Sequence, residues 1–258
     1  MAIKGRFNTD VEALKNRISA HSRFGSKDIN EWIFHHLELD SGQSVLDLGC
    51  GVGKQSIPMA KLVGPHGSIL SIDIAAEALG ALMKEAAKEG IADRITPLNC
   101  NLDDTPSHLS SRQFDRALSA YALYYAQHPE IVINAVYNAM KDDGIFFFCG
   151  PSKDNNRELK AFHYELKGDP MPPMTGGALF MEDTGQQLAR AIFRQVDIQH
   201  FENPLRFDSP EALYTYWSSY NLYDPVLDGA FRQAAEAHFR QNAFFTTWKR
   251  VLGVKAVK

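Results

Sequence analysis

The chain has 258 residues and a formal net charge of −4, from 27 Lys and Arg against 31 Asp and Glu. A negative net charge offers no general attraction to nucleic acid or to anionic membranes, so neither is an expected partner. No apolar run approaches the roughly 18 residues of a membrane span, and the first residues lack the apolar region of a signal peptide. The three cysteines (Cys50, Cys100 and Cys149) form no C-x-x-C pair. That usage favours a reducing, cytoplasmic compartment and argues against a bound metal.

Apolar strands alternate with helical stretches through the first 151 residues. Helices are predicted at 11–20 and 28–37, before the first strand. The alternating part then has predicted strands at 44–48, 68–72, 94–98, 114–120 and 145–149, and predicted helices at 54–63, 75–89 and 129–140. Alternating strands and helices predict an α/β fold with a parallel, doubly wound sheet. Ligands of such sheets bind outside the carboxyl ends of the strands.

The regularity weakens after Pro151. The segment 152–184 carries paired asparagines, several prolines and a glycine pair, which predict a loop-rich stretch. A stretch of this length is often functional, for example as a lid. A helix at 182–193, a strand at 195–201, helices at 209–219 and 226–241, and one or two closing strands within 243–257 are predicted to follow.

A glycine-rich turn follows the first predicted strand. The residues from Val45 to Lys54 read V-L-D-L-G-C-G-V-G-K, with Gly49, Gly51 and Gly53 at alternate positions. Glycine has no Cβ and adopts positive φ, so a ligand can lie directly against the backbone of such a turn. A tight turn without any ligand is the alternative interpretation.

Two other glycine-rich motifs fit this turn less well. A dinucleotide-binding turn, G-x-G-x-x-G, requires glycine where Lys54 stands. A phosphate-binding P-loop requires glycine in place of Leu48 and Ser or Thr in place of Gln55. Asp47 would also lie next to a bound pyrophosphate, whereas its carboxylate suits a cationic ligand.

This combination of strand, acidic residue and glycine turn resembles the first motif of the class I S-adenosylmethionine (SAM)-dependent methyltransferases. In that family the turn packs against the cofactor, and the acidic residue, here Asp47, lies near its methionine end. The resemblance covers about residues 40–151 and implies SAM as cofactor, with S-adenosylhomocysteine as product. It implies a doubly wound, seven-stranded, mostly parallel Rossmann-like sheet whose last strand is antiparallel. We expect a helical N-terminal cap over 1–39 and a methyltransferase domain over 40–258, in which 152–193 and 205–242 are lid or substrate additions.

Further cofactor contacts are expected at the ends of the second and third strands. Asp73 lies at the tip of the second strand, where a carboxylate commonly accepts hydrogen bonds from ribose hydroxyls; a helix N-cap is its alternative role. The neighbouring Ile74 is expected in the same site. After the third strand, the resemblance places Asn101 and the Leu102 N–H at the adenine ring, where the family usually has an acidic residue. Asp103 is the rival for that position.

The fourth strand and the segment after it supply the remaining candidates. The resemblance places Ser119 and Tyr121 beside the sulfonium. Tyr121 and Tyr124 could contact the cofactor or shape the substrate pocket, and Tyr124 is also a catalytic candidate, although aromatic residues in such a run are more often core. An oxygen nucleophile usually needs a general base, and histidine is the commonest. His128, at the start of a helix, and His21, in the N-terminal segment, are the candidate bases; both also have plausible structural roles.

A small molecule is the leading acceptor class. The positions at the end of the fourth strand read Ser-Ala-Tyr-Ala (residues 119–122), unlike the Asn/Asp-Pro-Pro-aromatic motif of enzymes that methylate exocyclic amines of bases. We therefore predict transfer of the SAM methyl group to a small-molecule acceptor. The alternatives are an RNA or protein methyltransferase and a SAM-binding protein without methyl transfer. The acceptor atom and the oligomeric state are left open.

Overall fold

The computed structural model describes residues 11–109 and 112–258, in which seven strands form one sheet. The strands are β1 (Ser44–Leu48), β2 (Ser68–Asp73), β3 (Ile95–Asn99), β4 (Phe114–Ala120), β5 (Met140–Pro151), β6 (Gln195–Phe207) and β7 (Phe245–Val257). Their order is β3-β2-β1-β4-β5-β7-β6. The first five strands pair in parallel, and β7 pairs antiparallel with β5. The predicted fold class is thereby confirmed.

Eleven α-helices connect or flank these strands in the described residues. They are α1 (Val11–Phe24), α2 (Ile29–Leu37), α3 (Ser56–Leu62), α4 (Ala76–Lys88), α5 (Pro106–Leu109), α6 (Pro129–Ala139), α7 (Arg157–Lys167), α8 (Gly176–Leu179), α9 (Gly185–Ile192), α10 (Pro210–Ser218) and α11 (Asp228–Gln241). Short 3₁₀ turns occur at Ala92–Arg94, Leu102–Asp104, Leu123–Tyr125 and Pro225–Leu227, and a π-helical turn at Phe180–Thr184 joins α8 to α9.

The central strands are apolar on both faces, which is why their sequences read as continuous hydrophobic runs. Successive side chains of a strand point to opposite faces. Accordingly, Leu46, Phe146 and Phe148 lie in one buried cluster, whereas Val45 and Phe147 lie in another. Helices must cover both faces of such a sheet, and the doubly wound arrangement follows.

The strand register brings the polar strand ends to one edge of the sheet. Asp47 in β1 is level with Ser71 in β2, and Asp73 at the end of β2 is level with Asn99 at the end of β3. Because these strands are parallel, their carboxyl ends share one edge, and the loops that follow them lie together there.

The prediction of a loop-rich stretch over 152–184 was wrong in its middle, where α7 forms. Leu159, Phe162, His163 and Leu166 follow helical spacing and lie on one face. The buried His163 belongs to that face, and its Nδ1 accepts a hydrogen bond of 3.3 Å from the Trp217 indole N–H. The asparagines and prolines that flank α7 concealed this short amphipathic pattern.

The helix predicted at 182–193 begins earlier than expected and is not uniform. It starts with α8, passes through the π-helical turn and continues as α9. Both glycines of the pair at Gly176 and Gly177, which had indicated a loop, are part of this helix. A π-helical turn inserts one extra residue into a helix and is frequent at functional sites.

The described residues fall into two compact units. The first contains the described residues up to Asp28, together with Asp154–Pro173 and Glu202–Arg250. The second contains Ile29–Lys153, Met174–Phe201 and Val251–Lys258. The first unit has its own aromatic core, which includes Phe207, Tyr216, Trp217 and Phe231. The division at residues 39 and 40, and the roles assigned to 152–193 and 205–242, stay predictions.

Candidate functional site

The glycine turn after β1 has one side packed against protein and one side open. Gly49, Gly51 and Gly53 have φ values of 75°, 53° and 86°. A Cβ at Gly49 would lie 2.1 Å from the Ala122 Cβ, and one at Gly53 would lie 2.2 Å from Leu82 Cδ1. A Cβ at Gly51 would meet nothing within 4 Å. Packing therefore explains the first and third glycines, whereas the second borders open space.

Strand β2 holds the turn in shape. The N–H groups of Gly49 and Cys50 both donate to the Ile72 carbonyl, with N···O distances of 2.8 and 3.0 Å. The Gly51 N–H donates to Asp73 Oδ2 at 2.7 Å. The predicted glycine turn and the predicted ribose carboxylate are thus joined directly.

Asp73 is in turn supported from the following loop and from β3. Its Oδ1 accepts a hydrogen bond from the Ala75 N–H at 2.8 Å. The Asn99 side-chain amide donates to the Asp73 and Ile74 carbonyls, at 3.0 and 2.9 Å. Ala75 is the N-cap residue of α4 and makes no side-chain N-cap bond, so the Asp73 carboxylate bonds both the glycine turn and the start of this helix. The sequence analysis missed Asn99, although a polar residue at the end of β3 was the available signal.

Asp47 lies inside the fold, beneath the turn. It is 1% exposed, and its Oδ2 accepts a hydrogen bond of 2.5 Å from the Ser56 hydroxyl, which accepts one of 2.9 Å from the Ser71 hydroxyl. The pKa of Asp47 is raised to about 7, chiefly by burial; the Ser56 hydrogen bond lowers it, and the charge of Asp73 adds to the rise. The sequence analysis missed both serines, whose role depends on strand register.

In the segment after β3, Asn101 and Asp103, the two candidates for the adenine position, have different hydrogen-bond partners. The Asn101 Oδ1 accepts the Asp103 N–H at 3.1 Å and begins the 3₁₀ turn Leu102–Asp104. The Asp103 carboxylate accepts the N–H groups of Gln127 and His128, at 3.0 and 2.8 Å. Asp103 therefore binds the residues that lead into α6, and Asn101, Leu102 and Asp103 all stay candidates for the adenine position.

The end of β4 combines a buried hydroxyl with a strained residue. Ser119 is fully buried, and its hydroxyl donates to the Leu48 carbonyl at 3.1 Å. Tyr121 has a φ of 61°, and its N–H donates to the Cys149 carbonyl at 2.8 Å. Positive φ is uncommon for a bulky residue, and such strain clusters at functional sites.

The catalytic candidates occupy different surroundings. Tyr124 is half-buried in the 3₁₀ turn after β4, with its ring 4.6 Å from that of Tyr125. The His128 side chain is 61% exposed, with Nδ1 3.7 Å from Glu130 Oε1, and His128 is the N-cap residue of α6. His21 belongs to the first unit, where its ring meets the Tyr216 ring edge-on at 5.9 Å. The cofactor candidates and the other two catalytic candidates belong to the second unit.

None of the helices in the described residues is long and apolar enough to cross a membrane.

Comparison with known proteins adds three kinds of similarity. A family model described as a methyltransferase domain matches residues 39–195. The chain is 28% identical to the ubiquinone/menaquinone biosynthesis C-methyltransferase UbiE of Cellvibrio japonicus over 160 residues, covering 62% of this chain and 63% of that protein. It is 31% identical to the arsenite methyltransferase of Aquipseudomonas alcaligenes over 156 residues, covering 58% of this chain and 43% of that protein. The chain thus spans less than two thirds of the length of either relative.

A solved structure shares the fold. The crystal structure of a SAM-dependent methyltransferase from Aquifex aeolicus aligns with a TM-score of 0.55 at 14% identity, covering 95% of this chain and 96% of that one.

Proposed function

The chain belongs to the class I SAM-dependent methyltransferases, and from this membership we propose that it transfers the methyl group of SAM to a small-molecule acceptor. The observation that carries the proposal is the open space at Gly51, directly beside the Asp73 carboxylate. A cofactor that lies against the backbone and hydrogen-bonds through its ribose requires both features.

The surroundings of this space fit SAM. Asp73 already accepts one backbone N–H on each oxygen, and each carboxylate oxygen can accept a second hydrogen bond, from a ribose hydroxyl. Ile74 is 69% exposed, which suits an apolar contact with the adenine ring. Asn101 and the Leu102 N–H are proposed to hold the adenine edge.

The acidic residue beneath the turn suits the charge of the cofactor. SAM carries a sulfonium and an ammonium group, and Asp47 provides a negative charge inside the protein once it is ionised. A cation that binds nearby lowers the pKa of a buried carboxyl. Gly49 and Gly53 shape the turn, and Ser119 and Tyr121 are proposed to border the sulfonium.

When bound, SAM supplies a methyl group on a positively charged sulfur, which an acceptor nucleophile displaces in line. The protein has to align the acceptor and exclude water. Tyr124 is the catalytic candidate that the geometry supports best, because its ring is half-buried and held on several sides. His128 and His21 stay predictions.

A small-molecule acceptor is favoured by the relatives and by charge. The names of the two relatives refer to the biosynthesis of quinones and to arsenite, and both quinones and arsenite are small molecules. A net charge of −4 provides no general attraction to RNA. RNA or protein methylation and SAM binding without transfer are outcomes of the following test.

The test uses SAM with a labelled methyl group, incubated with the protein and fractionated extract of its own host. The proposal predicts protein-dependent label in the low-molecular-weight fraction. Label in RNA or protein would identify a macromolecular acceptor instead. If SAM binds but no fraction of a complete extract becomes labelled, the protein binds SAM without transferring its methyl group.

The role of Gly51 is tested by Gly51→Asn, with Gly42→Asn as its matched control. Both glycines have positive φ, which asparagine tolerates, and neither has an atom within 4 Å of an added Cβ. Only the side chain at Gly51 should occupy the proposed cofactor space. We expect calorimetry to show SAM affinity at least about tenfold weaker for Gly51→Asn, a loss of about 1.4 kcal/mol. Equal SAM affinities of the two variants would refute this position for the cofactor.

A further inference from the structure

The Tyr124 ring lies between two glycines of the second unit that leave no room for a side chain. A Cβ at Gly177 would lie 3.0 Å from Cδ2 and Cε2 of the ring and 3.1 Å from Cγ. A Cβ at Gly150 would lie 2.9 Å from Cε1, on the other edge of the ring. These distances are shorter than ordinary van der Waals contact. A methyl group at Gly177 therefore requires the ring to shift by a few tenths of an ångström, and one at Gly150 requires the ring or the equally close Met181 side chain to shift.

Three elements meet at this ring. Tyr124 lies in the 3₁₀ turn after β4, Gly150 near the end of β5, and Gly177 in α8. The following π-helical turn places the Phe180 ring 6.5 Å from the Tyr124 ring. A Cβ at Gly150 would also lie 2.9 Å from Met181 Cγ, so the π-helical turn packs against the same glycine. Tyr124 is thus enclosed by residues that are far apart in the sequence.

The segments that meet here carry no charged residue. Residues 117–127, 145–152 and 174–181 contain no Asp, Glu, Lys or Arg, although charged residues make up 22% of the chain. Three apolar residues of these segments are exposed, Tyr125 at 52%, Leu179 at 44% and Met174 at 37%. The Tyr125 ring lies 4.6 Å from the Tyr124 ring, so part of an aromatic pair faces solvent.

We propose that Gly150 and Gly177 are positioning residues that hold the Tyr124 ring as an apolar wall of the acceptor site, and that this wall selects a flat, ring-containing acceptor. The proposal rests on the proposed function, because it assigns the acceptor side of the same site. Aromatic rings pack favourably against flat rings, face to face with an offset or edge to face. Methyl transfer depends on alignment of the acceptor, which a movable ring would not provide.

The probe for the test is 1-naphthol, a flat bicyclic phenol, with its saturated decahydro analogue as the non-planar comparison. Binding of each is measured by calorimetry on protein saturated with S-adenosylhomocysteine, and SAM affinity is measured separately. The wild-type protein should bind 1-naphthol at least about tenfold more tightly than the saturated analogue. Equal affinities, or no binding of 1-naphthol to protein that binds SAM, would overturn the proposal.

The positioning role is tested with Gly150→Ala and Gly177→Ala. Each variant should weaken 1-naphthol binding at least about tenfold while its SAM affinity changes less than about twofold. Gly80→Ala is the matched control, because Gly80 lies in α4 with nothing within 4 Å of an added Cβ and no positive φ. If Gly150 and Gly177 had only a structural role, each substitution would lower the melting temperature and change the affinities for 1-naphthol and SAM to a similar extent.

Tyr124→Phe tests the role of the ring directly, even if a glycine variant fails to fold. Tyr124→Phe retains the ring and removes only the hydroxyl, so 1-naphthol binding should persist. Loss of binding in Tyr124→Phe would assign recognition to the hydroxyl and refute an apolar wall. Failure of the wild-type protein to bind SAM would refute the proposed function itself, which is a different result from any of these.

Discussion

At the scale of single residues, Asp47 shows how a buried carboxyl group can stay protonated until a cationic ligand arrives. The carboxyl group is fully buried and has one described side-chain donor, the Ser56 hydroxyl. A buried carboxylate with so little compensation favours its protonated form. The glycine turn therefore lies over a group that is ready to ionise when a cation approaches.

The raised pKa of Asp47 makes stability depend on pH. The pKa is about 7 in the folded protein against 3.8 for the free side chain, so the folded state holds this proton more tightly than the unfolded chain. This contribution to stability is complete below pH 3.8 and is lost as the pH rises towards about 7. Asp47→Asn removes it. We expect the free energy of unfolding of the variant, relative to that of the wild type, to be roughly 1 to 3 kcal/mol higher at pH 8 than at pH 4.

Denaturant unfolding of both proteins at pH 4, 6 and 8, without SAM, measures this difference. Other carboxyl groups contribute equally to the two proteins, so the difference between the unfolding curves isolates Asp47. Parallel pH profiles would show that the pKa of Asp47 is the same in the folded and unfolded states and would refute its raised value in the folded protein.

At the scale of elements, the junction between the 3₁₀ turn after β3 and the start of α6 depends on one carboxylate. The first N–H groups of a helix have no partner within the helix. At α6, Asp103 accepts the N–H of the N-cap residue His128 and that of Gln127 before it. The loop after β3 is therefore hydrogen-bonded to the segment that leads from β4 into α6.

Asp103→Ala should destabilise the protein by about 1 to 2 kcal/mol, because two N–H groups lose their acceptor. Asp104→Ala is the matched control, since Asp104 is the exposed neighbour in the same turn. Urea unfolding compares the stabilities, and calorimetry compares the SAM affinities. We expect SAM affinity to be retained in Asp103→Ala and reduced in Asn101→Ala. The reverse result would assign the adenine position to Asp103.

Elements with strong local signals were predictable from the sequence, and interactions that depend on register were not. The continuous apolar runs of β1 and β5 predicted strands of the sheet, and the glycine turn marked the edge at which the cofactor is proposed to bind. Helix α7 was missed because prolines and asparagines surround it. Asn99 and Ser56 were missed because their partners come from other strands and helices. The strain at Tyr121 is likewise invisible in a sequence, because backbone angles there follow from the strands on both sides.

At the scale of the whole molecule, the proposed cofactor residues come from loops after four parallel strands. A ligand that binds only the folded state stabilises it, by about 2.7 kcal/mol at a concentration of 100 times the Kd. With SAM, we expect hydrogen exchange to slow most at 49–53, 73–75, 99–103 and 119–125. Mass spectrometry of exchanged peptides locates the effect. Protection that is absent from these four segments while SAM is bound would place the cofactor elsewhere.

The hydrogen bonds inside the glycine turn also affect which nucleotides can bind there. Sites for ATP or NAD direct free backbone N–H groups at phosphate oxygens. Here the N–H groups of Gly49, Cys50, Gly51 and Gly53 already donate to oxygen atoms of the protein itself. A phosphate chain at this turn would find those donors occupied and two carboxyl groups nearby. We therefore expect this turn to disfavour abundant phosphorylated nucleotides, both because its N–H groups are occupied and because the Asp47 and Asp73 carboxyl groups lie close.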